Sequence, residues 1–255
     1  MLRIVSTLLF LCLVYSCAKE SVDNFNGTNG KNNSNGKSGS ITRFTTYNDY
    51  LYVLDHNKIK TYYTGDGNLT LTSTVTTDYG LETITIYDGT IYIGSRTGLY
   101  ILDITNPSYP VLLSKTERSD IFGRCDPVVI KGHYAYSTVK TIVNVCGTLN
   151  TISALITYDV SNKHQPQEID VKTMEMPNGL GIYKNLLFVC DEGDDAIHVF
   201  DISNNIPVPF VKVSITNPRD VICHNGKMIV STPDGFTFYD IRDPSNIRMI
   251  GKIQT

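Results

Sequence analysis

An excess of positive charge is missing from this chain: Lys and Arg together number 22 against 25 Asp and Glu, for a formal charge of -3. Nucleic acid is thereby excluded as an expected partner, because phosphate backbones are held by a basic field. Long hydrophobic runs are missing too. The apolar stretch from Ile4 to Tyr15 is too short to cross a bilayer as a helix. After the first fifteen positions there are no long windows with a 3.6-residue apolar period, which argues against a helical chain. The HExxH, CxxC and GxSxG spacings are also absent, and His56, His133, His164, His198 and His224 are scattered. No metal-hydrolase or nucleophile constellation can be recognised from such a pattern.

What the chain does contain is repetition. In 255 residues, 41% of them apolar and 18% charged, there is enough material for one sizeable core. A theme of about 40 residues returns five times between Ile41 and Thr255. Its clearest copy is Gly98-Leu-Tyr-Ile-Leu-Asp-Ile-Thr-Asn-Pro-Ser-Tyr-Pro-Val-Leu-Leu-Ser114, and the strand ending in Asp returns as Leu155-Ile-Thr-Tyr-Asp159, Ile197-His-Val-Phe-Asp201 and Phe236-Thr-Phe-Tyr-Asp240. Second strands align as Tyr50-Leu-Tyr-Val-Leu, Thr90-Ile-Tyr-Ile-Gly, His133-Tyr-Ala-Tyr-Ser, Leu186-Leu-Phe-Val-Cys and Lys227-Met-Ile-Val-Ser. Asn48-Asp49, Asp88-Gly89, Lys131-Gly132 and Asn225-Gly226 supply hairpin turns before them. A fourth strand, such as Val111-Leu-Leu-Ser or Phe210-Val-Lys-Val, follows an Asn/Pro turn. The fold expected is all-β, a β-propeller of about five four-stranded antiparallel blades. Each blade begins at a first strand and ends at a fourth, so no strand is exchanged between chain ends and the seam is left to side-chain packing.

Leu99 to Ser114, with Asp-Ile-Thr-Asn-Pro followed by Pro-Val-Leu, resembles the LVIVD repeat, found in bacterial and archaeal surface proteins. The resemblance covers Thr77 to Thr255 well. Residues 41–76 depart from it: Lys58 to Thr64 ends without the Asp, and Gly65-Asp66-Gly67 stands where the Asn-Pro turn belongs. The resemblance implies a propeller and assigns no activity.

At the N-terminus, Arg3 and the apolar run read as a secretory signal over residues 1–16. Val14-Tyr-Ser-Cys17 resembles the bacterial lipobox, in which the Cys carries a diacylglycerol; the resemblance implies lipidation at Cys17 and anchoring to a membrane through acyl chains. Lys19-Glu20 resembles the signal that sends some Bacteroidetes lipoproteins to the outer face, so an outer-membrane lipoprotein facing either the periplasm or the cell surface is implied. Residues 17–38, with an Asn/Gly/Ser-rich tract from Asn24 to Ser40, read as a flexible tether before a propeller over 39–255.

Loop composition separates the two propeller faces. One carries short repeated turns such as Asn106-Pro107 and Asp243-Pro244. The other carries Ser119 to Asp126, the insertion Thr138 to Ser153, the acidic Asp191 to Asp195, and Asn217 to Asp220. Binding residues concentrate on irregular loops held by a rigid scaffold, so Phe122, Arg124, Asp126, Asp191, Glu192, Asp194, Asp195, Arg219 and Asp220 form the candidate ligand face. The acidic loop suits Ca²⁺ in ligand type but lacks the spacing of the twelve-residue calcium loop, and solvated loop tips have the same composition; no other cofactor is expected. Cys125 and Cys146 fall on that face of the third blade and are expected to pair in an oxidising compartment. Cys223 aligns with Ile86, Val129 and Ile182 and reads as a core residue, while a pairing of Cys190 with Cys223 stays open. Asp103, Asp159, Asp201 and Asp240 read as turn formers spread around the ring. The function expected is non-catalytic binding of a protein or glycan by a membrane-anchored propeller. An exported hydrolase or lactonase with Ca²⁺ in its funnel is the alternative.

Overall fold

The computed structural model describes residues 36–39, 42–96, 98–116, 123–141 and 153–254, with only the backbone at 36–39, 123–126 and 141. Cys17, Phe122 and Cys146, and with them the expected lipidation and disulfide, lie outside the described residues.

After a short strand β1 (Gly36–Gly39), the chain builds five sheets in sequence order. Blade one is β2 (Phe44–Tyr47), β3 (Tyr50–Asp55), β4 (Lys58–Tyr63) and β5 (Thr70–Thr76). Blade two is β6 (Leu81–Tyr87), β7 (Thr90–Ser95), β8 (Gly98–Asp103) and β9 (Val111–Lys115). Blade three is β10 (Gly123–Lys131), β11 (Tyr134–Thr141), β12 (Ala154–Asp159) and β13 (Gln167–Thr173). Blade four is β14 (Pro177–Tyr183), β15 (Leu186–Asp191), β16 (Ala196–Asp201) and β17 (Val208–Ser214). Blade five is β18 (Asp220–His224), β19 (Lys227–Thr232), β20 (Gly235–Asp240) and β21 (Arg248–Gln254). Within each blade the strands are antiparallel and follow chain order, which is the expected all-β architecture of four-stranded blades.

Three details differ from the sequence reading. In blade three, Asp159 pairs with Tyr134, as Asp103 pairs with Thr90, Asp201 with Leu186 and Asp240 with Lys227. The second strand therefore starts at Tyr134, the turn is Gly132-His133, and the residue equivalent to Cys223 is Ile130. A slip of one residue reverses every side chain, and the true register is the one that turns Tyr136 toward blade four, where its hydroxyl reaches Asn205 O. Next, Gly36–Gly39, expected mostly within the tether, pairs antiparallel with β14 and makes blade four five-stranded. It also lies beside β6, β10 and β18. First strands leave unpaired backbone groups on their inner edge, and a passing chain can satisfy them.

The third difference concerns the seam. The first strands adjoin in the order β2, β6, β10, β14, β18, and among the described residues no comparable packing joins blade five to blade one. Among the described residues, four apolar clusters fill the junctions one–two, two–three, three–four and four–five. Side chains alternate across a strand, so an interior blade buries both faces: Leu187 and Val189 meet blade three, while Leu186, Phe188 and Cys190 meet blade five. All six residues of β7 and of β15 are accordingly buried. In the end blades, β3 and β19 bury only alternate residues.

The repeated Asp residues act in the turns. Asp103 Oδ1 accepts from the Thr105 amide at 3.0 Å, Asp159 Oδ1 from Ser161 at 2.8 Å, Asp201 Oδ1 from Ser203 at 2.7 Å and Asp240 Oδ1 from Arg242 at 3.1 Å. A second such bond follows, in which Asn106 Oδ1 accepts from the Ser108 amide, Asn162 Oδ1 from His164 and Asp243 Oδ1 from Ser245. In blade one, Asp66 takes over by accepting from Asn68. Tyr52 donates its hydroxyl to Pro107 O at 2.9 Å and Tyr136 to Asn205 O at 2.8 Å, so second-strand tyrosines fasten each of these blades to a turn of the next.

Two expectations follow. Phe188→Ala, which opens the four–five junction, should cost about 3–5 kcal/mol, whereas Ile229→Ala, its counterpart on the free face of blade five, should cost less than about 1 kcal/mol; urea unfolding measures both. Hydrogen bonds from Thr105, Ser161, Ser203 and Arg242 hold the carboxyls of Asp103, Asp159, Asp201 and Asp240 below the usual range. The unfolded chain therefore takes up these protons first. The stabilisation is complete above the unfolded pKa of about 4 and is lost as pH falls through the folded values. Replacing all four with Asn keeps the acceptors and should flatten acid unfolding below about pH 4; an unchanged acid profile would refute this role.

Candidate functional site

Because the strands are antiparallel, the turns between second and third strands share one face with the connections between blades. This is the face of irregular loops. On it, blades three, four and five contribute to one polar network. Lys140, near the end of β11, donates from Nζ to Glu192 Oε2 at 2.7 Å and to Asn178 Oδ1 at 3.1 Å. Asn178, in β14, donates from Nδ2 to Glu192 Oε2 at 3.0 Å and to Pro218 O at 3.4 Å. Thr138 holds the Asn178 carbonyl at 2.7 Å. Asn178 is buried, while the Lys140 and Glu192 side chains are 21% and 28% exposed. The network thus has a wet rim above a fixed floor.

The Lys140 hydrogen bond, then that of Asn178, holds the Glu192 carboxyl below its ordinary pKa, and the charge of Arg219 adds to the effect. The Arg219 side chain is exposed at this rim, and its backbone is pinned: its carbonyl accepts from Gly179 N and its amide donates to Ser231 O, both at 2.9 Å. Gly179 is required here, since a Cβ would fall 2.6 Å from Asp220 Cα and closer still to Asp220 Oδ1. Asp220 Oδ1 itself accepts from the Val221 amide.

The acidic loop divides its work. Asp191 is buried and accepts from the Glu175, Met176 and Gly193 amides at 3.0, 2.8 and 3.1 Å. Asp195 accepts from Asn217 N at 2.8 Å. Asp194 pairs with Lys212 at 2.6 Å and His198 at 2.7 Å, which hold its carboxyl below the usual range. Glu192 alone of the four reaches the network, and among the described residues no group of three or more His, Cys, Asp or Glu gathers to hold a metal. Arg124 and Asp126 are placed by backbone only, in β10, with Arg124 opposite Lys140. The structure therefore brings together Glu192, Arg219 and Asp220 of the expected face, and adds Lys140, Asn178 and Thr138. Lys140 sits within the insertion that the sequence flagged; nothing in the sequence marks Asn178.

Cys190 and Cys223 are thiols rather than a disulfide, both buried in the four–five junction, and burial pushes both up. That is the environment of a small core residue rather than of a nucleophile.

Lys140→Met should raise the Glu192 pKa toward the ordinary carboxylate range, and Arg219→Gln should raise it less. Carboxyl-carbon NMR titration reads both, and an equal or reversed order would contradict the assigned network.

Comparison with known proteins agrees with this architecture. Residues 82–117, which run from β6 to just beyond β9, match the LVIVD repeat. No curated protein matches the chain. The computationally designed Ika8 protein superposes with a TM-score of 0.58 at 12% identity, covering 84% of this chain and 61% of its own. A functionally unknown protein from Desulfotomaculum acetoxidans gives 0.63 at 14% identity, covering 81% and 66%. A "putative 6-phosphogluconolactonase" from Bacteroides fragilis gives 0.64 at 12% identity, covering 83% and 70%. The chain thus spans between 61% and 70% of the length of these three. At such identities the likeness is one of fold: this chain is an array of propeller blades containing an LVIVD repeat.

Proposed function

We propose that this protein is a non-catalytic lipoprotein, anchored through Cys17, whose irregular propeller face binds a protein or a glycan. The observation that carries the reading is the network of Lys140, Asn178 and Glu192, which ties blade three to blade four and, through Pro218 O, to the connection into blade five, with the Arg219 side chain exposed beside it. Rigid strands fix its donors and acceptors, as recognition of a polar ligand requires. The repeated Asp residues are engaged in turns and three of the four acidic-loop carboxylates in local bonds, so chemistry is not their role in this reading. The anchor and the 17–38 tether would hold the domain at an outer-membrane surface, and a Cys125–Cys146 bridge would stiffen the insertion beside Lys140.

A hydrolase or lactonase working with funnel Ca²⁺ is the second reading, favoured by the fold of the Bacteroides fragilis neighbour. Calcium separates the two. An enzyme of that kind gains thermal stability and lactone hydrolysis with Ca²⁺, while a binding module gains neither. For the primary reading, a soluble domain beginning at Ser34 is tested against surface glycans and proteins. Arg219→Glu combined with Lys140→Glu should weaken capture by at least about tenfold, and undiminished capture would place the ligand elsewhere. Cys17→Ala should release the protein from membranes; retention on membranes would remove the anchor from the proposal.

A further inference from the structure

The register of β1 fixes where the chain joins the blades. Gly36 lies opposite Tyr183, Lys37 opposite Ile182, Ser38 opposite Gly181 and Gly39 opposite Leu180, with the two strands antiparallel. β14 starts at Pro177, beside the connection from blade three on the irregular face, and ends at Tyr183, beside the Lys184-Asn185 turn on the plain face. The chain therefore enters at the plain face by Tyr183 and travels toward the irregular face by Leu180. Along the way it lies beside β6, β10 and β18 as well as β14, all of them first strands. Its path follows the inner edges of blades two to five.

Residues 40–43 then lead to β2, which starts at Phe44 on the irregular face, as first strands do. The link is held there: the Thr42 carbonyl accepts from the Ile84 amide at 3.2 Å and the Arg43 carbonyl from the Leu54 amide at 2.7 Å. Without β1, the N-terminal tract would join the blades at this end, on the face of the candidate ligand residues. With β1 seated, it joins at the far end of β14, whose seven residues at ~3.3 Å each span about 20 Å. Backbone carries the pairing, since Gly-Lys-Ser-Gly offers no large apolar side chain and the inner edge of a first strand presents amides and carbonyls that a passing strand can pair. Gly181 stands opposite Ser38, and a glycine within a strand marks a close approach of another backbone.

We infer that Gly36–Gly39 is a strap threaded along the inner edges of the blades, which inverts the attachment of the domain. The plain-turn face becomes the end at which the N-terminal tract joins. The irregular face, with Lys140, Asn178, Glu192 and Arg219, is turned away from that attachment. Resting on the reading that Cys17 holds the protein to a membrane, the strap directs the plain turns toward the lipid and leaves the ligand face looking outward, where a surface protein or glycan can reach it.

A nitroxide amino acid incorporated at Ser34 in the soluble Cys17→Ala chain reports the entry point through paramagnetic broadening of backbone amides. Asn185 and Gly226 mark the plain ends of blades four and five, which lie close together, since a Cβ at Gly226 would be 3.4 Å from Tyr183 Oη. Met176 and Arg219 mark the irregular ends. The expected result is loss of the Asn185 and Gly226 signals with Met176 and Arg219 unaffected. Lys37→Pro combined with Ser38→Pro removes two amide donors and should restore the lost signals. Broadening at Met176 and Arg219, equal broadening at both ends or none at either overturns the strap, as does broadening that the two prolines leave unchanged. Because the measurement is made without lipid, it stands apart from the anchor: a chain that stays on membranes after Cys17→Ala loses the anchor and keeps the strap.

Discussion

Burial of both faces of each sheet against the next is the interaction on which this molecule depends. A single four-stranded sheet cannot shield both of its faces, so each blade is stable only in the company of its neighbours. The four clusters are therefore not separate cores but one interface repeated. Turn chemistry then serves the packing: the Asp carboxylates fix where each third strand stops, and Tyr52 and Tyr136 reach across to the turn of the following blade. A repeat of this kind has no internal rule for when to stop, and the end blades meet water with faces the interior blades bury.

The polar network is a consequence of the same stacking. Consecutive blades present their loops at one level, so a side chain late in the second strand of blade three can meet one early in the first strand of blade four and one in the turn after that blade's second strand. Gly179 permits the approach of Asp220, and the 217–220 segment is locked from both sides by backbone bonds. The groups available to a ligand are therefore carried on strands and pinned connections rather than on a free loop tip.

Much of the fold was legible because period-two burial and hairpin chemistry are local. The strand pattern, the turn glycines and the recurring Asp could all be read from short windows, and they placed the blades correctly even where residues 41–76 depart from the repeat. The slip at Tyr134 shows where local reading fails: His133 and Tyr134 fit a strand equally well, and only pairing with Asp159 decides between them. The candidate site was legible in part. Irregular loops pointed to the right face, and Glu192, Arg219 and Asp220 were on it, but Asp191 looked like a ligand residue and is instead buried beneath three amides. Asn178 gave no signal, since its importance comes from partners 14 and 38 residues away.

The sequence by itself determined the all-β class, the four-stranded unit, the turns and which face carries the irregular loops, because each rests on residues a few positions apart. Tertiary structure alone decided which polar side chains meet between blades three and four, where Gly36–Gly39 pairs, and that among the described residues blade five does not pack on blade one as the other blades pack on their neighbours. These depend on the angle at which successive sheets stack, a quantity summed over many side-chain contacts that no short window of sequence contains.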